Sequence, residues 1–318
     1  MACLFNSSPM QAVSVDGFDI VVKRDDLLRV NLPVEKPEAV ALSGNKARKF
    51  YYLLAQDCTS YRRLLSYGSA QGNGLVALAA IAKIKGLAFD YYVDHISDFL
   101  YQQPAGNYQL ALDLGANISP LNLKASKSNV TLQGYVEGNI LPDVDDGLYV
   151  AEGGNNHHCA MGVYQLADEI CQWFALQDLA QLKVMLPSGT GTMAVFLQQR
   201  FCQRDLPIEV WTCACVGSGE YLFEQFKRLN QNKHQFPIVL DGQKKYHFGK
   251  TYREFWQTWQ SVGAQTGIEF DLLYDPLSWL LLLQQLKKYT HPPCVVYLHQ
   301  GGVLGNKTML ARYRRKYT

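Results

Sequence analysis

Hydrophobic positions along the chain alternate between short apolar runs and longer segments with a helical period. Short runs of apolar and aromatic residues are typical of buried strands, and apolar residues three and four positions apart are typical of helices. The pattern predicts strands over residues 18–22, 64–67, 88–93, 184–186, 208–212, 238–240 and 295–298. It predicts helices over residues 46–55, 75–84, 105–112, 161–174, 192–200, 220–229, 252–262 and 277–287.

Strands that alternate with long helices favour parallel sheets with helices on both faces, so the predicted fold class is α/β. The chain has 318 residues, which indicates two domains at about 150 residues each. Residues 126–148 are polar and lack a regular period. We therefore expect the chain to cross between two halves in this segment.

Composition narrows the class of protein. Hydrophobic residues make up 48% of the chain and charged residues 18%, which excludes a disordered, collagen-like or coiled-coil protein. The net charge is only +2, so no nucleic-acid partner is expected. The most apolar stretch, residues 277–283, is far shorter than the roughly 20 residues of a membrane span.

Residues 1–18 lack the basic start and the apolar core of a secretory signal. We therefore expect a cytoplasmic protein with no membrane partner, in which the eight cysteines are reduced thiols.

Four Gly-rich or polar clusters lie where a strand is expected to lead into a helix, which is where α/β proteins bind ligands. The first contains Ser188, Gly189, Thr190, Gly191 and Thr192 and precedes a predicted helix. Glycines let the backbone approach a ligand, and the amides at a helix N-terminus attract anions. The cluster predicts a phosphate site; the alternative is an ordinary tight turn with a threonine cap.

The second cluster places Lys46 near the start of a predicted helix, with Lys49 one turn later. Both the helix dipole and the second cation disfavour protonation of Lys46. A lysine with a lowered pKa is a good nucleophile toward carbonyl compounds. The alternative is a solvated basic face of the helix.

The remaining two clusters are residues 67–74 and residues 298–302. The former has three glycines and carries Asn73 as a side-chain donor, although a flexible connector would look similar. The latter carries His299, either as an acid or base or as a structural hydrogen-bonding group. The chain has no Walker A loop, no G-x-S-x-G elbow and no paired Cys and His spacing, so neither a nucleotide site nor a metal site is expected.

In this order the clusters resemble the family of 1-aminocyclopropane-1-carboxylate deaminase and D-cysteine desulfhydrase, whose members use pyridoxal 5'-phosphate on the fold of the tryptophan synthase β subunit (fold type II). The resemblance covers nearly the whole chain. It rests on K-R-D-D-L at residues 23–27, G-N-K-A-R-K at 44–49, the loop at 68–73, E-G-G-N at 152–155, and the loops at 188–192 and 298–302.

The resemblance implies a role for several of these residues. Lys46 corresponds to the lysine that attaches the cofactor, and Asn73 to the asparagine that binds its ring oxygen. The residues from Ser188 to Thr192 correspond to the phosphate loop, with Lys49 nearby. The resemblance also implies a homodimer, and a cofactor cleft between a larger domain (residues 1–45 and 151–318) and a smaller one (residues 46–150).

Residues that handle substrate in the family differ in this chain. The family's Q-S-N-H becomes Gln71, Gly72, Asn73 and Gly74, which removes a serine. Its Y-G-x-P matches residues 248–251, where Phe248 replaces a tyrosine and Tyr246 is a nearby substitute.

Two further departures concern the far end of the chain. The family's P-V-Y-[TE]-G-K, matched to residues 276–281, puts Ser278 in place of a second tyrosine and Trp279 near the cofactor ring nitrogen. Gln300 replaces the threonine of H-T-G-G. We expect the substrate pocket to include Gln71, Gly72, Tyr246, Phe248 and Ser278.

These observations lead to three functional hypotheses. The leading one is a pyridoxal-phosphate lyase or deaminase that acts on a small amino acid by D-cysteine desulfhydrase-like β-elimination, which gives a keto acid and ammonia. The alternatives are a cofactor-binding protein with lost or altered catalysis, and an amino-acid racemase.

Overall fold

The computed structural model describes residues 4–31, 37–123, 130–242 and 244–317, and two sheets organise them. The larger sheet contains β1 (Met10–Val15), β2 (Phe18–Arg24), β7 (Leu182–Ser188), β8 (Ile208–Ala214), β9 (Ile238–Val239) and β10 (Val295–His299), in the spatial order β1-β2-β10-β7-β8-β9. The smaller sheet contains β3 (Arg63–Tyr67), β4 (Ala88–Val93), β5 (Ala116–Pro120) and β6 (Gly147–Val150), in the order β5-β4-β3-β6. Neighbouring strands are parallel except β1 and β2.

The helices connect these strands and cover the sheets. They are α1 (Gly44–Lys49), α2 (Tyr51–Ala55), α3 (Asn73–Lys85), α4 (Asp98–Gln102), α5 (Gly106–Asp113), α6 (Leu132–Asn139), α7 (Ala160–Ala175), α8 (Thr192–Gln203), α9 (Gly219–Leu229), α10 (Arg253–Thr266), α11 (Asp275–Leu286) and α12 (Asn306–Tyr317). Every helix within the described ranges is too short or too polar to span a bilayer.

The larger sheet is buried on both faces, which explains why its strands read as continuous apolar runs. In β7, Val184 and Leu186 belong to the core formed with α7 and α8. Met185 points to the opposite face, into the core formed with α10, α11 and α12. The smaller sheet is covered by α3 and α5 on one face, and α6 contacts β3. The predicted α/β class is confirmed.

The expected crossing at residues 126–148 is wrong for its described part. Residues 126–129 lie outside the described ranges, but the rest contains α6 and the start of β6, which pairs with β3. The chain therefore leaves the smaller sheet only after β6. The predicted helix over residues 46–55 is divided at Phe50 into α1 and α2. Elements missed by the hydrophobic pattern are β1, β5, β6, α4, α6 and α12.

The loops that follow β3, β6, β7 and β10 converge between the two sheets. Lys49 on α1 reaches both Gly153, after β6, and Thr190, after β7. Asn73 at the start of α3 lies against Gly302, after β10. All strands of the smaller sheet lie within the predicted smaller domain, although the domain division itself stays a prediction.

Candidate active site

Helix α1 places Lys46 at the carboxyl end of the larger sheet. Its first residue, Gly44, has a φ of +59°, and a Cβ there would lie 1.9 Å from the Gln300 carbonyl oxygen. The Asn45 amide donates to that same carbonyl over 2.9 Å. Because only glycine permits this close approach, the helix starts directly on the loop after β10. Lys46 follows two residues later, and a Cβ on Gly74 would lie 3.9 Å from its Cε.

Lys46 carries an amine suited to nucleophilic chemistry. Burial lowers the pKa of Lys46, and the weaker influences of Cys159 and Glu152 raise it. No hydrogen bond from its Nζ is present in the described part of the chain. The predicted lowering of the pKa therefore has burial as its main cause, rather than the helix dipole or Lys49. A lowered pKa favours the neutral amine, which is the nucleophilic form of a lysine.

Lys49 occupies the same helix one turn later and faces the loop after β7. Its Nζ donates to the Gly153 carbonyl over 3.0 Å and lies 3.4 Å from Thr190 Oγ1. Burial, followed by the charge of Lys46, lowers the pKa of Lys49 to about 7. A bound anion next to Lys49 would favour its protonated form.

The loop after β7 forms a cradle for such an anion. Gly191 caps the N-terminus of α8 with a φ of +72°, so the first amides of this helix are available to a ligand. The hydroxyls of Thr190 and Thr192 are 2.9 Å apart, and Thr192 Oγ1 donates to Asn155 Oδ1 over 3.1 Å. Together with Lys49, these groups provide the donors that a phosphate requires.

Ser188 has a different position within the predicted phosphate loop. Its hydroxyl lies 2.6 Å from Thr212 Oγ1 on β8, and Thr212 in turn donates to the Leu186 carbonyl. The Ser188 side chain is buried, and its hydroxyl is engaged by the neighbouring strand β8. Gly189 is placed against Tyr274, because a Cβ there would lie 3.6 Å from Tyr274 Cε1.

Asn73 is oriented by a residue that the sequence motifs did not single out. Asn107, at the start of α5, is 3% exposed, and its Nδ2 donates to Asn73 Oδ1 over 2.8 Å. The same Nδ2 group donates to the Gln71 carbonyl over 2.8 Å. With its Oδ1 engaged, Asn73 presents Nδ2 as a donor, which suits the oxygen of a flat ring.

The other predicted residues of this loop have different surroundings. The Gln71 side chain is exposed and accepts a hydrogen bond from Thr308 on α12 over 3.1 Å. Gly72 is the N-cap of α3 with a φ of −72°, a value open to any residue. A Cβ on Gly72 would lie 3.2 Å from the Ser69 carbonyl oxygen, so a serine would fit with a small shift.

The aromatic residues predicted to line the substrate pocket lie in two groups. Phe248 is 44% exposed, and its ring centre is 5.1 Å from that of Tyr274. Tyr246 instead packs on Phe255 and Tyr252, with ring centres 4.5 Å and 4.9 Å away. Phe248 and Tyr274 therefore form a wall next to Gly189, while Tyr246 belongs to the neighbouring aromatic cluster.

Ser278, predicted to replace a family tyrosine, is fully buried one helical turn inside α11. Tyr274, at the N-cap of α11, is the candidate that the motif match had missed, because its hydroxyl would lie 3.8 Å from a Cβ on Gly189. The sequence contains a signal for Tyr274: Leu272, Leu273 and Tyr274 align with the family's P-V-Y when leucines are accepted in place of the proline and the valine. Burial and the charge of Asp271 raise the pKa of Tyr274, so its hydroxyl stays protonated.

Gln300 connects the larger sheet to α1. Its Nε2 donates to the Pro187 carbonyl over 2.7 Å, and its Oε1 accepts from Asn45 Nδ2 over 3.0 Å. His299 is buried, with its Nε2 2.8 Å from the Glu269 carbonyl and its Nδ1 accepting from the Gly301 amide. Both ring nitrogens of His299 therefore have structural partners.

A buried ionic network holds α1 in place. The Arg48 guanidinium binds both oxygens of Asp25, each over 3.0 Å, and both oxygens of Glu169, over 2.6 Å and 2.9 Å. Lys23 Nζ reaches Glu169 over 2.6 Å. Burial raises the pKa of Asp25, but Arg48, Lys23 and Ser8 together lower it below its ordinary value. Two sequence motifs, residues 23–27 and 44–49, thus meet in one network beneath Lys46.

Glu152, directly after β6, brings a carboxylate to the same cleft. A Cβ on Gly68, whose φ is +146°, would lie 2.7 Å from Glu152 Oε1 and 2.6 Å from the Tyr91 hydroxyl. Although the side chain reaches solvent, enough protein surrounds the carboxylate to raise the pKa of Glu152, while Lys46 lowers it by less. The sequence motif E-G-G-N contained this residue, but its spacing did not indicate a role.

The donor set fits pyridoxal phosphate. Lys46 is an amine for the aldehyde, Lys49 with the Thr190 and Thr192 loop is a phosphate cradle, and Asn73 Nδ2 is a donor for the ring oxygen. Among the described residues, no group of His, Cys, Asp and Glu side chains could hold a metal ion.

The fold and this site define the class: the chain has the α/β fold of type II pyridoxal-phosphate enzymes. A crystal structure of an ACC deaminase homologue superimposes with a TM-score of 0.70 at 19% identity, covering 96% of this chain and 94% of that one. No family model matches the chain.

Sequence comparison leads to the same family. A candidate 1-aminocyclopropane-1-carboxylate deaminase of Pyrococcus furiosus is 22% identical over 302 residues, which are 91% of this chain and 86% of that protein. A mitochondrial bifunctional D-cysteine desulfhydrase/1-aminocyclopropane-1-carboxylate deaminase of Arabidopsis thaliana is 20% identical over 308 residues, 91% and 74% of the two chains. The predicted resemblance to this family is confirmed, as are the predictions of an enzyme and of pyridoxal phosphate as its cofactor.

Proposed function

We propose that the protein is a pyridoxal-phosphate lyase that removes the β-substituent of a small amino acid, in the manner of a D-cysteine desulfhydrase, and yields a keto acid and ammonia. One observation carries the proposal. The amine of Lys46, which has no hydrogen bond among the described residues, shares a cleft with the Lys49 and Thr190 cradle and with the Asn73 donor. The names of the two sequence relatives support the same substrate class.

Each residue has a defined task in this reaction. Lys46 is the attachment point of the cofactor, Lys49 and the start of α8 bind its phosphate, and Asn73 binds its ring oxygen. When bound, pyridoxal phosphate supplies an electron sink for the bonds at the substrate Cα. With substrate in the cleft, the Lys46 Nζ would accept the proton from Cα, and the burial that lowers its pKa favours the neutral amine that this task requires.

The aromatic wall supports a retained rather than a lost activity. Tyr274 places a phenol next to Gly189, although the serine of the family's Q-S-N-H is Gly72 and the tyrosine of its Y-G-x-P is Phe248. We infer that Tyr274 and Phe248 contact the substrate, with Gly72 near its carboxylate.

The first test concerns Lys46. The purified protein is loaded with pyridoxal phosphate, reduced with borohydride and digested, and the labelled peptide is located by mass spectrometry. We expect the label on Lys46 in the wild type, no covalent label in Lys46→Ala, and an unchanged label in Lys227→Ala, a surface lysine paired with Glu224. A cofactor still covalently attached in Lys46→Ala would reject the assignment.

The second test identifies the reaction. D-cysteine, L-cysteine, D-serine and 1-aminocyclopropane-1-carboxylate are incubated with the loaded enzyme, and sulfide, keto acid, ammonia and optical rotation are followed. Keto acid with ammonia supports the lyase. Loss of optical rotation without keto acid would identify a racemase, and absence of any change would identify a cofactor-binding protein.

Three further proposals concern the whole protein: a homodimer and a division into residues 46–150 and the remainder, which the resemblance implies, and a cytoplasmic location. Seven cysteines in the described ranges are free thiols, which agrees with a reducing compartment. Light scattering on a sizing column measures the oligomeric state, and limited proteolysis locates the domain boundary.

A further inference from the structure

Glu152 is a carboxylate of the cleft for which neither the family motifs nor the proposed function has a task. It belongs to the turn after β6, and its Oε1 covers Gly68 at the end of β3. Gly68 has no room for a side chain there, since a Cβ would lie within 2.7 Å of both Glu152 Oε1 and the Tyr91 hydroxyl. The glycine therefore leaves the space that the carboxylate fills.

The next residue ties Glu152 to the cofactor cradle. The Gly153 carbonyl accepts the hydrogen bond from Lys49, and a Cβ on Gly153 would lie 3.2 Å from Thr190 Cγ2. A shift of Glu152 would therefore disturb the phosphate cradle. The carboxylate itself has no hydrogen bond within the described part of the chain, so it is free to act on a ligand.

Glu152 approaches the cleft from the smaller sheet, whereas Lys46 comes from α1, whose start packs on the larger sheet. The two groups influence each other's pKa electrostatically. Burial acts on them in opposite directions, because it lowers the pKa of Lys46 and raises the pKa of Glu152. Both pKa values therefore move toward the neutral range, where a general base and a general acid are most effective. The titratable groups near Glu152 are Lys46, Tyr67, Tyr91, Tyr221 and Tyr274.

We propose that Glu152 is a second catalytic residue, which donates a proton to the leaving group at the substrate Cβ while Lys46 removes the proton from Cα. The proposal rests on the β-elimination proposed above.

The step balances for a thiol leaving group. The Cα–H bond breaks and its proton goes to Lys46 Nζ, while the electron pair forms the Cα=Cβ double bond. The Cβ–S bond breaks with its electron pair on sulfur, which takes the proton from the Glu152 carboxylic acid. Transfer of one proton from Lys46 to Glu152 through water restores both groups. Water then hydrolyses the unsaturated amino acid to keto acid and ammonia.

The decisive experiment compares two leaving groups in Glu152→Gln. D-cysteine needs a proton on sulfur, whereas β-chloro-D-alanine loses chloride, which needs none. We expect kcat with D-cysteine to fall by about 100-fold or more, with nearly unchanged kcat for the chloride. Glu224→Gln, a surface carboxylate paired with Lys227, is the matched control and should leave both rates unchanged.

Equal losses with both substrates would show a structural role for Glu152, and no loss with either would show no role; each result overturns the proposal. If the wild type converts neither substrate, the proposed function fails instead. A second measurement, which does not depend on turnover, then tests the role of Glu152.

That measurement uses the cofactor-free protein. Carbon-13 labelling of the glutamate carboxyl groups, with assignment by Glu152→Gln, follows the titration of Glu152 by NMR. We expect a pKa above the ordinary glutamate value of about 4.3, and a further rise in Lys46→Met, because the cation that lowers it is gone. A Glu152 pKa at or below the ordinary value, or one that is the same in the wild type and in Lys46→Met, would overturn the role as proton donor.

Discussion

Asn107 fixes the amide of Asn73, with the Asn107 Nδ2 and the Asn73 Oδ1 2.8 Å apart in a part-buried contact. The two residues start different helices, α5 and α3. Asn107 also binds the carbonyl of Gln71, so one side chain shapes the loop and sets the direction of the Asn73 donor.

Asn107→Ala should weaken cofactor binding without preventing attachment to Lys46. It leaves the Asn73 and Gln71 oxygens without their donor, which costs about 1–3 kcal/mol of folding free energy, and lets the Asn73 amide turn. Titration with pyridoxal phosphate, followed by absorbance, measures the affinity. Asn117→Ala removes a comparable but exposed hydrogen bond to Asp90 and should leave the affinity unchanged; equal affinities in both variants would contradict the positioning role.

Tyr274→Phe should reduce turnover by about 100-fold, the usual effect of losing one hydrogen-bond donor in an active site. Ser278→Ala should have little effect on turnover, because Ser278 is fully buried within α11. Steady-state rates with D-cysteine, together with cofactor absorbance to check loading, distinguish the two positions. The reverse order of effects would restore Ser278 as the counterpart of the family tyrosine.

Anion binding by the cofactor-free protein should weaken as pH rises through about 7. Lys49 has a folded pKa of about 7, so it is charged below this pH and neutral above it. Sulfate is a suitable probe because its charge is constant between pH 6 and 9. Calorimetric titration should show this loss in the wild type, while Lys49→Arg should bind with little pH dependence; a flat wild-type profile would contradict the assignment.

The same lowered pKa makes a prediction about stability. The unfolded state binds more protons than the folded state between pH 7 and the ordinary lysine value of about 10.4, so the free energy of unfolding of the cofactor-free protein should rise with pH across this window. Lys46, whose pKa is also lowered, contributes in the same direction. Urea unfolding at several pH values should show a smaller rise in Lys49→Met.

Arg48→Met should destabilise the protein by about 3–5 kcal/mol, because it leaves the buried Asp25 carboxylate without its main cation. Arg204→Met, which removes a half-exposed partner of Asp168, should cost less than about 1 kcal/mol. Urea unfolding of both variants measures the difference. Similar losses would show that the network beneath Lys46 adds no more than a surface pair.

Gly72→Ser should stabilise α3 slightly, by about a few tenths of a kcal/mol, since serine is a better N-cap residue than glycine. The φ of −72° accepts serine, and the contact with the Ser69 carbonyl requires only a small shift. If the hydroxyl binds the substrate carboxylate, KM for D-cysteine should fall. Gly138→Ser, at an open position in α6, is the control and should leave KM unchanged.

The sequence by itself determined the fold class and the types of residue that stand near the ends of the strands. The short apolar runs correspond to strands buried on both faces, such as β7 and β8, because such strands need apolar residues at successive positions. The amine of Lys46 and the glycines around Thr190 were visible because local backbone geometry and helix ends require particular residue types nearby in sequence.

Only the tertiary structure decided which distant side chains complete the site. Asn107 lies 34 residues from Asn73, and Thr190 lies 141 residues from Lys49; no local pattern encodes such contacts. Tyr274 was missed because leucines stand where the family has proline and valine, so the motif was matched four residues too late. Glu152 acquires its environment from the space beside Gly68 and the charge of Lys46. Burial and charge at a point in space depend on every element that packs there, and they arise only when the chain is folded.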